Sequence, residues 1–142
     1  MRAGFIGFGA LIQIAAVSRI HRSAVLRFRE VPIMLYGLAI LLSGVFSAEP
    51  FMDGVPYSAA EANLHGLFAT AAGLALCAAM LLYALADAPQ RRIGHFVTLA
   101  LPMLVSFLFA AAPAVASITQ RVLWVVGFAW LLYLDKAKEG GT

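Results

Sequence analysis

Five long apolar runs, separated by short clusters of charge and turn residues, constrain this chain more than any other feature of its sequence. A helix that crosses a bilayer needs about 20 predominantly apolar residues. The runs here cover about 4–20, 31–48, 61–85, 93–112 and 117–134. Of the 142 residues, 63% are hydrophobic and 12% charged, whereas a soluble domain carries about 25% charged residues. A soluble fold of this size has too much surface for its volume to hide that apolar excess. The expected fold is therefore an all-α integral membrane protein, a compact bundle of about five transmembrane helices forming one domain with minimal loops.

The punctuation between the runs agrees. Pro32 stands where a first helical turn tolerates proline. Pro50, Asp53-Gly54 and Pro56 make a continuous helix between Glu49 and Ala60 unfavourable. Asp87, Pro89, Arg91 and Arg92 end the third run, Pro102 is placed to bend the fourth, and Pro113 stops it. A polar tail, Asp135 to Thr142, follows the fifth. The first run is expected to be a retained helix, because Ser18-Arg19-Ile20-His21-Arg22 follows it and not a small-residue cleavage site.

The net charge of +3 does not point to nucleic acid, because the cations sit between apolar runs as topology signals do. Eight of the ten Lys and Arg fall in the Arg19–Arg29 stretch, the Arg91-Arg92 turn and the tail with Lys136 and Lys138. With five spans these segments share one side. The positive-inside rule then puts the N-terminus outside and the C-terminus in the cytoplasm. Arg2 and Arg121 alone lie on the outer side. The one cysteine, Cys77, excludes an intramolecular disulfide framework and a thiolate metal cluster.

In lipid, helices approach through small residues, since no hydrophobic drive separates a helix from the acyl chains. Gly37 and Gly44 on the second span and Ala69, Gly73 and Cys77 on the third supply such faces. They either build the bundle or dock other membrane subunits. Gln13 is the clearest polar side chain inside a span and is expected to make an interhelical hydrogen bond. Such an interior argues against an ion pump or channel.

Polar chemistry concentrates at the predicted outer face, in Glu49, Asp53, Glu61, His65, Gln120 and Arg121. Glu61 and His65 are four apart and share a helix face. Arg121, on the side the charge rule disfavours, asks for a carboxylate partner, most simply Glu49, Asp53 or Glu61. Three readings fit: a structural clamp across the outer helix ends, a metal or small-ligand site using His65 and two carboxylates, and acid–base chemistry by Glu61 and His65. No cofactor is expected. A b-type haem needs two axial ligands at matched depth, whereas His65 and His95 begin their spans on opposite sides and His21 lies in a basic stretch. No phosphate loop, nucleophile elbow or His-Glu-x-x-His motif occurs.

Gly44-Val45-Phe46-Ser47-Ala48-Glu49-Pro50, then Leu64-His65-Gly66, then Gln120-Arg121 ahead of a Trp-containing last helix, resembles a bacterial and archaeal multi-pass family, domain of unknown function 998 (DUF998). Its pattern is a Gly-x-Phe followed by a Pro-Thr-Asp-Pro-like stretch, then a His-Gly at the next helix start. Ser47 stands here for the proline and Glu49 for the aspartate. The resemblance implies six spans in the family, of which the first is missing here, through a natural five-helix form or a truncated start. It implies no settled activity, and the expected location of the chain is a bacterial inner membrane.

The expectation from these features is a non-enzymatic membrane protein, an accessory or stabilising subunit whose partners are the bilayer and other membrane proteins. The alternative is an outer-face protein that binds a small ligand, lipid headgroup or metal, with hydrolytic chemistry around His65.

Overall fold

The computed structural model describes residues 2–23, 28–50, 54–111 and 116–139. They form five α-helices: α1 (Arg2–Ser23), α2 (Val31–Val45), α3 (Ala59–Ala86), α4 (Pro89–Ala111) and α5 (Ala116–Glu139), with a 3-10 turn over Phe28–Glu30 before α2. The protein is all-α. Among the described residues, Arg2–His21, Phe28–Val45 and Ala59–Ala86 are long and apolar enough to cross a membrane, and Arg121–Leu134 is a shorter apolar helix. At 1.5 Å per residue the 28 residues of α3 extend about 40 Å, more than the hydrocarbon thickness of about 30 Å. The chain is an integral membrane protein.

The helix ends follow local chemistry. Glu49 precedes a proline, which favours extended backbone, and α2 gives way at Phe46 (φ −94°, ψ 147°), three residues earlier than the apolar run suggests. Gly54 supplies a positive φ of 80° in the connection that follows. Ser58 then caps α3, its hydroxyl accepting from the Glu61 amide at 3.3 Å. Pro89 opens α4, where its missing N–H costs nothing, and the Arg91 and Arg92 amides close on the Ala88 carbonyl. The expected tail is shorter than it looked. α5 runs on through Glu139, because Lys136, Ala137, Lys138 and Glu139 are all good helix formers.

The backbone divides into two compact units, Met1–Ala79 and Met80–Thr142. In the first, α1 packs directly against α2 through glycine. A β-carbon built at Gly9 would lie 2.6 Å from the Gly37 carbonyl oxygen, and one at Gly44 would lie 2.7 Å from the Phe5 β-carbon. Only hydrogen fits between these backbones, as expected for lipid-embedded helices that gain dispersion contact by close approach. Gln13 Nε2 donates to the Met34 carbonyl at 2.5 Å, the expected interhelical bond.

The opposite end of this helix pair holds an unexpected ion pair. Arg19 Nε lies 3.1 Å from Glu30 Oε2, with side-chain exposures of 5% and 2%. α1 continues through Arg19 to Ser23, so this pair ties the last turns of α1 to the turn that precedes α2. Burying both charges is costly unless they stay paired, so removing either partner would leave an uncompensated buried charge.

In the second unit, α4 and α5 are neighbours. Pro102 lies within α4, which continues to Ala111. Trp130 and Leu134 of α5 and Val105 of α4 are buried.

Candidate functional site

The residues expected at the outer rim belong to both units. Glu49, Glu61 and His65 are in the first, where three helix ends meet through polar side chains. Ser58-Ala59-Ala60-Glu61 is a helix-start signature in which the glutamate ordinarily reaches back to the cap residue's own amide. Here it reaches elsewhere. Glu61 Oε2 accepts from Arg2 Nη2 at 3.0 Å and from the Ser47 amide at 3.0 Å. The same Nη2 also donates to Ser47 Oγ. The first turn of α1, the chain after α2 and the first turn of α3 are thus joined at one carboxylate.

One turn further along α3, His65 Nδ1 lies 2.7 Å from the Ser43 carbonyl oxygen of α2. A carbonyl only accepts, so Nδ1 carries the proton. The Phe5 ring of α1 stands edge-on to the imidazole, centroids 5.8 Å apart. Glu61 and His65 share a face as their spacing requires, and both face α1 and α2 structure. Glu49 is engaged apart from them, accepting from the Tyr57 hydroxyl at 2.9 Å. That hydrogen bond, and then the charge of Glu49, raises the pKa of the Tyr57 phenol above its ordinary value.

Arg121 lies in the second unit with its side chain exposed, and no described ion pair includes it. The partner of Glu61 is Arg2. Arg2 is the other cation on the side that the charge rule disfavours, and it needs a carboxylate partner as much as Arg121 does. What selects it is the tight α1–α2 packing, which delivers the α1 N-terminus to Ser47. Gln120 lies in α5, its side chain outside the described ones, and Asp53 lies outside the described residues. Among the described residues, no group of three His, Cys, Asp or Glu side chains is placed to hold a metal.

A second polar cluster, in the second unit, has no counterpart in the sequence reading. His95, on the second turn of α4, has no solvent exposure. Trp130 Nε1 donates to its Nδ1 at 3.0 Å, and its Nε2 lies 2.9 Å from Asp87 Oδ2. An indole N–H can only donate, so Nδ1 accepts and the neutral ring carries its proton on Nε2, directed at the carboxylate. Tyr83 and Tyr133 flank the imidazole at centroid distances of 6.1 and 5.6 Å. Tyr83 also stands edge-on to Trp130 at 5.6 Å. Both ring nitrogens are spent, which makes the chain Asp87–His95–Trp130 a tie between the α3–α4 turn, α4 and α5. Polar chemistry is thus not confined to the residues around Glu61 and His65. The partners are 8 and 35 residues from His95, and neither spacing carries a helical or motif signal.

The family model described as "protein of unknown function (DUF998)" matches residues 1–134. The chain belongs to that family. No curated protein and no solved structure matches it.

Proposed function

We propose that this DUF998 member is a non-enzymatic membrane protein that serves as an accessory or stabilising subunit of a larger membrane assembly. The observation that carries the reading is the unequal use of its small residues. Gly9, Gly37 and Gly44 are filled by the α1–α2 contact, whereas Gly66 and Gly73 on α3 meet no atom within 4 Å. Gly73 stands between Ala69 and Cys77 in a row with four-residue spacing, the pattern by which lipid-embedded helices approach one another. Leu67 and Leu74 on the same helix are 62% and 68% exposed, so this stretch of α3 offers an apolar surface around the open glycines.

The rim chemistry supports the same reading. Glu61 and the Nδ1 of His65 hold helix ends together, which is the clamp reading of these residues. The proposed orientation keeps the N-terminus outside and the C-terminus in the cytoplasm, the arrangement that places most Lys and Arg inside. Purification of the tagged chain from its native membrane in mild detergent tests the subunit reading. Co-purification of membrane partners at constant stoichiometry is the expected result, and a lone monodisperse monomer contradicts it.

A further inference from the structure

The ties at the rim of the first unit leave two acceptors with no described partner. Glu61 binds Arg2 and Ser47 through Oε2, and no described bond uses Oε1. His65 donates from Nδ1 to the Ser43 carbonyl, and in that tautomer of the neutral imidazole Nε2 is a bare lone pair. A backbone carbonyl on one ring nitrogen is the usual device for orienting a histidine that binds through the other. Glu61 and His65 stand one helical turn apart, with β-carbons about 5–6 Å from each other. Beside them is Arg2, whose side chain is 55% exposed. Both its described bonds leave from Nη2, so Nη1 and Nε remain as donors.

Two acceptors next to a guanidinium define a ligand with an N–H-rich cation and an anion a short distance away. A primary ammonium brings three N–H donors and no acceptor, which suits Oε1 and Nε2 together. A quaternary ammonium has no N–H to give. A phosphate suits the guanidinium. The site lies in the first two turns of α3, a helix long enough to span the bilayer, and the ends of a spanning helix fall at headgroup level. We propose that Arg2, Glu61 and His65 bind a phosphoethanolamine group, supplied by a phospholipid headgroup, with its ammonium on Glu61 Oε1 and His65 Nε2 and its phosphate on Arg2. The proposal rests on the membrane placement of α3 and is independent of the subunit reading.

Two conservative variants separate ligand binding from folding. His65→Asn keeps an amide N–H for the Ser43 carbonyl and removes Nε2. Glu61→Gln keeps one oxygen for Arg2 and Ser47 and replaces the second acceptor with a donor. The full chain would be reconstituted in phosphatidylcholine vesicles with and without phosphatidylethanolamine, and retained lipid read by native mass spectrometry after extraction. A preference for phosphatidylethanolamine of about tenfold, equivalent to about 1.4 kcal/mol, is expected for the wild type. Both variants should lose it; His65→Asn should keep the wild-type thermal midpoint in phosphatidylcholine, whereas Glu61→Gln, which gives up the charge paired with Arg2, should melt lower while remaining folded. Equal retention of the two lipids by the wild type, or an undiminished preference in both variants, would overturn the proposal. Soluble phosphoethanolamine forms a separate arm. Stabilisation by it without any lipid preference keeps the headgroup chemistry but overturns the lipid source, and a response to neither overturns both.

Discussion

Arg2 and Glu61, 59 residues apart in sequence, meet at 3.0 Å through Nη2 and Oε2 and share the side chain and amide of Ser47. One carboxylate therefore gathers the starts of α1 and α3 and the end of α2. Arg2→Ala and Glu61→Ala should each lower the thermal midpoint in detergent. Because they remove the same contact, the double variant should fall by clearly less than the sum of the two. Strict additivity would show that the pair contributes nothing jointly. The effect should shrink with added salt, as both side chains are partly exposed.

The second prediction concerns His95. Trp130→Phe preserves most of the ring volume but deletes the indole N–H, leaving a buried His95 nitrogen without its donor. The expected cost is about 1–3 kcal/mol. Trp130→Ala, which also opens a cavity, should cost more, about 3–5 kcal/mol. Equal midpoints for wild type and Trp130→Phe would show that the hydrogen bond at 3.0 Å has no energetic role.

How much of this was readable beforehand differs by feature. The apolar runs reveal the helices because lipid demands long uninterrupted apolar stretches, and no tertiary contact is needed to see them. Gln13 is legible for the same reason, as an amide inside a span must find a partner. Glu61 and His65 are legible as a pair on one face, but their partners are not. Arg2 reaches Glu61 only because Gly9, Gly37 and Gly44 let two backbones close up, and that proximity belongs to the fold. The burial of His95 is less visible still, since it depends on Asp87 across a turn and Trp130 on another helix. The continuation of α5 past Leu134 follows from propensity, which a reading of apolar length passes over.

The glycines can be tested against each other. Gly9→Ala places a β-carbon against the Gly37 backbone and should destabilise by about 1–3 kcal/mol, the usual range for overpacking. Gly73→Ala meets open space and should be neutral or stabilising by up to about 1 kcal/mol, the propensity difference between the two residues in a helix. Thermal unfolding of both variants side by side provides the check, and a larger loss at Gly73 would contradict the α1–α2 packing described above.

Tyr57 gives a pH signature. Its hydrogen bond to Glu49 holds the phenol above its ordinary pKa, so the contact is intact below that ordinary value and is lost as pH rises through the raised one. Phenolate absorbance, with Tyr57→Phe as the subtraction, should show a late titration that Glu49→Gln moves to lower pH. An unmoved midpoint in Glu49→Gln would remove Glu49 as the cause.

The open face of α3 bears most directly on the role proposed for the chain. A photoreactive amino acid placed at Gly73 and activated in native membranes should yield a discrete crosslinked product containing one partner membrane protein, while the same probe at the solvent-exposed Val55 yields none of that product. Recovery of uncrosslinked chain alone from the Gly73 position, with lipid adducts only, would contradict the subunit reading.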